Sequence, residues 1–268
     1  MAFAAMERRI HLSDGGETTL EQWGECGPLV VGVHGLGASR RGWARIGERL
    51  AGRYRLVAYD QRGHGDTARA TEMTFARTVT DLGDVVAALG EPVHALLGHS
   101  WGGAVVIGGG RDLDVARVVA IDPMLQLAPG VWSASVLREF RTLLAGTLAE
   151  REAAIRRANA ALPEIEIAAK LHAARSITLD TIEALGGQNA IDAGGWALRA
   201  LLDDYPRPLL LALADEQRTV FGVEDRAYAR AHGGPHVRIE PFAGASHSLQ
   251  RDAFDRFAPV LEAFLADA

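Results

Sequence analysis

One serine in this sequence lies in a segment whose residue types and spacing suit nucleophilic catalysis. Ser100 is the central residue of Gly98-His99-Ser100-Trp101-Gly102, which directly follows the apolar run Val93 to Leu97 and directly precedes a predicted helix. A serine at a sharp strand-to-helix turn needs small neighbours, because the chain crowds itself there, and the turn exposes the hydroxyl. This context predicts that Ser100 is a nucleophile, whereas the bare glycine pattern would equally fit a structural turn.

A histidine late in the chain is the predicted general base. A serine hydroxyl is a weak nucleophile at neutral pH and needs a neighbouring base, and imidazole suits that task. His247 lies in Gly244-Ala245-Ser246-His247-Ser248, between the last predicted strand and the last predicted helix. A loop in that position returns to the carboxyl edge of the sheet. The alternative interpretation is a loop histidine bonded to backbone groups.

A small turn near the start of the chain is a candidate oxyanion hole. His34-Gly35-Leu36-Gly37 ends an apolar run, and such a flexible turn can direct a backbone N–H at a developing oxyanion. We expect the backbone N–H groups of Leu36 and Trp101 to be the donors. The alternative is a glycine turn that serves only to connect two elements.

The carboxylate that would orient His247 has two candidates. Asp122 follows the predicted strand Val118 to Ile121, and Asp215 follows the predicted strand Leu209 to Ala214. Both keep the order serine, acid, histidine along the chain. We favour Asp122, because Asp215 adjoins its strand end and, judged by strand direction, points away from the histidine loop. Each also has a structural interpretation, as an Asp-Pro turn or as a cap of the following segment.

Short apolar runs alternate with helix-like segments, as in a parallel sheet covered on both faces by helices. The predicted strands are Leu29 to Val33, Arg55 to Ala58, Val93 to Leu97, Val118 to Ile121, Leu209 to Ala214 and Val237 to Ile239. The predicted helices are Trp43 to Leu50, Thr78 to Leu89, Trp101 to Ile107, Asp225 to Ala231 and Asp252 to Leu265. An antiparallel hairpin is predicted before them, from Arg9 to Leu12 and from Thr18 to Trp23.

The alternation stops between Met124 and about Tyr205. Helical periodicity covers Val136 to Leu148, Glu150 to Ala161 and Thr178 to Leu185, without a convincing strand. Open α/β sheets carry their sites at the carboxyl ends of the strands, so a helical insertion here is predicted to cap the site. The predicted organisation is therefore a core domain of residues 1–123 and 206–268, with a helical cap insertion of residues 124–205.

Composition and charge narrow the choice of partners. The 268 residues carry a net charge of −6, with dispersed basic residues and no cationic run, which argues against nucleic acid. No apolar run approaches the length of a membrane span. The apolar stretch at the start of the sequence is also too short for the core of a signal peptide. We therefore expect a cytoplasmic protein without a membrane partner. Neither a nucleotide motif nor a metal-ligand pattern is present, and no cofactor is predicted. The oligomeric state is not predicted.

Five segments in chain order resemble the α/β-hydrolase superfamily across nearly the whole chain. They are His34 to Gly37, Asp60-Gln61-Arg62-Gly63-His64-Gly65, Gly98 to Gly103, Ala120-Ile121-Asp122-Pro123 and Gly244 to His247. The resemblance implies an α/β-hydrolase fold with an eight-stranded, mostly parallel sheet, a cap between the sixth and seventh strands, and a Ser-acid-His triad. Asp60 and Arg62 match a segment that usually has a structural role in that superfamily, so the resemblance does not imply a catalytic role for them. The usual acid position after the seventh strand falls here on Gln217, which cannot replace a carboxylate.

A serine at the turn predicts that its hydroxyl attacks a carbonyl carbon, that an acyl-enzyme forms, and that water releases the acyl group. This course is esterase-type hydrolysis, and we expect a small, apolar substrate. Family members that open epoxides or remove halogen carry aspartate at that position, so Ser100 argues against both reactions. Lactonase, carbon–carbon hydrolase and perhydrolase activities stay open, because fold does not separate them. A ligand-binding or receptor-like protein with little turnover is the alternative from a different class.

Overall fold

The computed structural model describes residues 6–189 and 196–267. Ten strands are described, and they are β1 (Met6–His11), β2 (Glu17–Trp23), β3 (Leu29–Val33), β4 (Arg55–Tyr59), β5 (Val93–His99), β6 (Val115–Ile121), β7 (Gln126–Leu127), β8 (Trp196–Ala197), β9 (Leu209–Leu213) and β10 (Val237–Pro241). Eight of them form one sheet in the order β1-β2-β4-β3-β5-β6-β9-β10. β1 and β2 are antiparallel to their neighbours, and every other pair in this sheet is parallel.

Helices connect these strands and cover the sheet. The α-helices of the described ranges are α1 (Ala44–Leu50), α2 (Phe75–Leu89), α3 (Trp101–Asp112), α4 (Leu137–Leu143), α5 (Leu148–Ala158), α6 (Glu164–Ser176), α7 (Leu179–Gln188), α8 (Val223–His232), α9 (Leu249–Asp252) and α10 (Phe254–Ala266). Short 3₁₀ turns cover Arg40–Trp43 and Arg199–Leu202, and Trp132–Val136 is π-helical. The eight-stranded, mostly parallel sheet with flanking helices confirms the predicted fold class. None of the described helices is long and apolar enough to cross a bilayer.

The core lies on both faces of the sheet. Along β3, Val31 packs with side chains of α2 and α3, whereas its neighbour Val30 packs with side chains of α1 and α10. Successive side chains of a strand point to opposite faces, so a strand buried on both sides is apolar throughout. All five residues of β3 and all five of β9 are buried. This explains why uninterrupted apolar runs marked the strands in the sequence.

The segment between β6 and β9 differs from the predicted succession of helices. The predicted helix over Val136 to Leu148 is confirmed only for α4, which ends at Leu143. Its continuation is wrong, because Gly146 at φ +79° interrupts the helical backbone and Thr147 starts α5 with a capping box to Glu150. The two-residue strands β7 and β8 pair antiparallel, although no strand was predicted here. α6 was not predicted at all. It buries residues on several sides and therefore lacks the apolar stripe that marks a surface helix.

Candidate active site

Ser100 occupies the junction between β5 and α3. Its backbone has φ 55° and ψ −116°, a left-handed conformation that a residue with a side chain adopts at a cost of about 1–3 kcal/mol. The flanking glycines make the turn possible. A Cβ on Gly98 would lie 2.1 Å from the carbonyl oxygen of Gly102, and a Cβ on Gly102 would lie 2.2 Å from that of Val33. The hydroxyl-bearing residue is therefore held rigidly at the carboxyl end of a central strand.

Asp122 and His247 meet at the same edge of the sheet. His247 Nδ1 lies 2.6 Å from Asp122 Oδ2, although the residues are 125 positions apart. Asp122 is fully buried, and its backbone also has a positive φ of 41°. Because an ionised carboxylate can only accept hydrogen bonds, Nδ1 carries the proton of this contact and Nε2 of His247 is left as an acceptor. The hydroxyl of Ser100 makes no direct hydrogen bond to the His247 ring in the described residues.

The loop after β9 completes the surroundings of Asp122. The backbone N–H groups of Ala214 and Val220 donate to its carboxylate over 3.2 and 3.1 Å, and the hydroxyl of Thr219 donates to the same group. These three donors satisfy a buried carboxylate that would otherwise lose its hydrogen bonds to water. The sequence analysis did not single out Thr219, since nothing in its local pattern points to a distant aspartate.

Asp215 serves a different contact. Its carboxylate accepts from the N–H of Gly244 over 2.7 Å and from that of Gln217 over 3.1 Å, and these bonds lower the pKa of Asp215. It does not contact the ring of His247. Its side chain therefore joins the loop after β9 to the loop that carries His247, and it satisfies backbone N–H groups in both loops.

His99, the residue before Ser100, touches His247 directly. Its ring lies 4.7 Å from the His247 ring between centroids, and its Nε2 donates to the backbone carbonyl of His247 over 2.9 Å. Burial, with the nearby His247, lowers the pKa of His99 well below the ordinary histidine value, so the ring is neutral. The sequence analysis treated His99 as part of the turn motif and missed this role. Its position within that motif was the available signal.

Two further histidines hold the turn of residues 34–37. Nδ1 of His34 donates to the carbonyl of Gly35 over 2.8 Å, and its Nε2 accepts from the N–H of Gln61 over 3.0 Å. Nε2 of His64 accepts from the N–H of Gly37 over 3.1 Å, and its Nδ1 donates to the carbonyl of Arg62 over 3.0 Å. Both rings must be neutral to accept these bonds. Burial lowers the pKa of His34 to about 4 and that of His64 to about 3.

These two histidines predict a loss of stability in mild acid. Each pKa is lower in the folded chain than the value of about 6.5 in the unfolded chain, so the unfolded state binds more protons between about pH 6.5 and pH 4. The free energy of unfolding should fall by about 2 kcal/mol per histidine from pH 7 to pH 5.

Urea unfolding of the wild type and of His64→Gln at both pH values measures this effect. The variant should lose about 2 kcal/mol less than the wild type between the two pH values. The exposed His232→Gln serves as the matched control and should keep the wild-type pH dependence. An unchanged pH dependence in His64→Gln would show that folding does not lower the pKa of His64.

The candidate oxyanion donors lie beside Ser100. A Cβ on Gly35 would be 3.1 Å from Ser100 Cβ, so the turn of residues 34–37 packs directly against the serine. The backbone N–H groups of Leu36 and Trp101 donate to no other group in the described part of the chain. Both residues line a narrow apolar pocket with no room for a water molecule, together with side chains of the segment between β6 and β9. The other lining residues are Met124, Trp132, Leu185 and Trp196.

Asp60 and Arg62 take part in separate buried ion pairs. The carboxylate of Asp60 accepts from the backbone N–H of Arg40 over 2.7 Å and contacts its guanidinium, and Arg62 binds Asp81 through two hydrogen bonds of 2.6 Å. Neither makes a contact to Ser100 or His247. No cluster of three or more potential metal ligands occurs among the residues described.

Comparisons with known proteins add independent findings. The model of the alpha/beta hydrolase family matches residues 30–260. The magnesium-chelatase 30 kDa subunit of Rhodobacter capsulatus is 34% identical over 107 residues, which are 39% of this chain and 38% of that protein. Protein phosphatase methylesterase 1 of Bos taurus is 37% identical over 114 residues, 39% of this chain and 30% of that protein. Each match thus spans well under half of the relative's length.

A solved structure is similar over the whole chain. The crystal structure of E-2-(acetamidomethylene)succinate hydrolase superposes with a TM-score of 0.77 at 18% identity, covering 98% of this chain and all of that one. At this identity the likeness concerns the fold.

Proposed function

Because the chain belongs to the alpha/beta hydrolase family and is a hydrolase, we propose that it cleaves a carboxylic ester through Ser100, His247 and Asp122. The single observation that carries the proposal is the 2.6 Å contact between Asp122 and His247, beside a strained serine turn. Asp215 remains the alternative acid of the sequence analysis, but its carboxylate is bonded to backbone N–H groups instead. We further propose that residues 124–205 act as the cap of this site.

The proposed reaction begins with a proton transfer. Nε2 of His247 takes the hydroxyl proton as Oγ of Ser100 bonds to the ester carbonyl carbon, and the carbonyl oxygen becomes an oxyanion. Asp122 stabilises the imidazolium that forms. The imidazolium then gives its proton to the alkoxide as the ester C–O bond breaks, which leaves an acyl-serine. Water attacks that acyl group with His247 again as the base, and the acid and free Ser100 are released.

The free N–H groups of Leu36 and Trp101 support the next part of the proposal. Preorganised donors at a developing oxyanion each contribute about 3 kcal/mol to transition-state stabilisation. His34 and His64 fix the turn that carries Leu36, so this donor is positioned before substrate binds. The approach of Ser100 Oγ to His247 is expected to tighten in the substrate complex, as catalytic hydrogen bonds commonly do.

Labelling with a fluorophosphonate probe tests the proposed mechanism. Such a probe reacts with an activated serine, and we expect one covalent adduct, located on Ser100 by peptide mass spectrometry. Hydrolysis of p-nitrophenyl esters of increasing acyl length then measures substrate range. The methylesterase relative supports an ester substrate, although it covers only part of the chain. Absence of both labelling and turnover would favour the ligand-binding alternative.

A further inference from the structure

A cluster of charged side chains lies where α6 meets the segment that follows His247. Arg251 belongs to the one-turn helix α9, four residues after His247, and its Nε lies 3.1 Å from Oε2 of Glu166 on α6. Lys170, one helical turn further along α6, is the only lysine of the chain. Residues four apart on a helix share a face, so Glu166 and Lys170 project toward the same region.

The cations of this cluster are poorly paired. Arg251 is 12% exposed, yet none of its N–H donors makes a hydrogen bond to the described residues beyond the ion contact with Glu166. The ammonium group of Lys170 makes neither an ion pair nor a hydrogen bond with any of the described residues. Buried or half-buried charged groups are normally paired and hydrogen-bonded. Two cations thus face one carboxylate, and the cluster has the donors for one more anion.

Desolvation acts on each member of the cluster. Burial, together with the charge of Arg251, lowers the pKa of Lys170 to about 8, and burial also lowers the pKa of Arg251. Burial raises the pKa of Glu166, against the attraction of Arg251. A second carboxylate in contact with Lys170 and Arg251 would favour their charged forms.

The cluster adjoins the candidate active site. The guanidinium of Arg251 packs against Gly42, where an added Cβ would lie 2.9 Å from Nη2, in the 3₁₀ turn that follows the turn of residues 34–37. Arg251 follows His247 by four residues and lies in helix α9, which begins at Leu249. The positive charge of Arg251 also acts on the ring of His99, whose centroid lies 4.7 Å from that of the His247 ring. The cluster therefore lies beside the segment that follows His247 and the turn that contains Gly42.

We propose that Lys170 and Arg251 form a subsite for a carboxylate carried by the acyl part of the substrate. The subsite rests on the proposed ester hydrolysis and makes its substrate class more specific, as a monoester of a short dicarboxylic acid. Guanidinium and ammonium groups are suited to hold such a carboxylate by charge-assisted hydrogen bonds. Glu166 holds Arg251 in place and limits the net charge of the cluster.

Two isosteric esters test the subsite. Mono-p-nitrophenyl adipate and p-nitrophenyl hexanoate differ only in a terminal carboxylate against a methyl group. We expect the wild type to hydrolyse the adipate with a kcat/KM at least about tenfold higher, and Lys170→Met to reduce this preference about tenfold. The matched control is Arg157→Met, which removes one exposed positive charge from the neighbouring helix α5. Equal kcat/KM values for the two esters in the wild type, or an unchanged preference in Lys170→Met, would overturn the subsite.

Binding of adipate itself separates this test from the proposed function. Calorimetric titration needs no turnover, and the dissociation constant should rise about tenfold in Lys170→Met but stay unchanged in Arg157→Met. If neither ester is hydrolysed while adipate binding depends on Lys170, the hydrolytic proposal fails and the carboxylate subsite stands. If both esters are hydrolysed while adipate affinity is the same in all three proteins, the subsite fails alone. Inorganic phosphate that binds as tightly as adipate would mark a general anion site and also overturn it.

Discussion

We expect Ser100→Ala to lower kcat for p-nitrophenyl ester hydrolysis by about 10⁶, because removal of the nucleophile disables the whole triad. Residues that act as a unit are not additive, so His247 and Asp122 have no proton transfer to assist once the hydroxyl is gone. Alanine keeps the Cβ of serine, and the cost of the positive φ at this turn is therefore unchanged. The fold and substrate binding should survive, and thermal unfolding with a binding measurement checks both.

A matched control for this prediction is Ser248→Ala. Ser248 directly follows His247 but has no place in the proposed proton path, so its kcat should stay within tenfold of wild type. More than about a tenth of wild-type activity in Ser100→Ala would place the nucleophile elsewhere, since the strand-to-helix turn is what exposes and orients it.

Replacement of the acid that orients His247 is expected to cause the second large loss of kcat. We expect Asp122→Asn to lower kcat by about 10⁴, because the amide keeps the shape of the side chain but no longer stabilises the imidazolium or fixes the same tautomer. Asp122→Ala should lose as much activity. It should also destabilise the fold, since the N–H groups of Ala214 and Val220 and the hydroxyl of Thr219 lose a buried acceptor.

Asp215→Ala is the informative counterpart of these variants. Its carboxylate bonds to Gly244 and Gln217, and the loss of those contacts should leave kcat within tenfold of wild type. Single-turnover and steady-state kinetics of all three variants measure the difference. A collapse of kcat in Asp215→Ala, with Asp122→Asn within tenfold of wild type, would assign the acid to the loop after β9.

Local sequence sufficed for several features of the fold. The strands of the sheet were predictable because each is buried on both faces and therefore reads as an apolar run, as β3 and β9 do. The cap segment was less predictable. Gly146 and Thr147 end one helix and start the next, and α6 buries several of its sides, so neither follows the simple period of an amphipathic helix.

The sequence by itself determined the turn at Ser100, because its glycines and its place between strand and helix act through neighbouring residues. It also limited the orienting acid to Asp122 or Asp215. Only the tertiary structure decided which carboxylate contacts His247, since that contact joins residues 125 positions apart and depends on how the loop after β9 folds over β6. The proximity of Arg251 to Glu166 and Lys170 was equally invisible in the sequence. Such contacts arise from the packing of distant elements, and no local pattern of residue types encodes them.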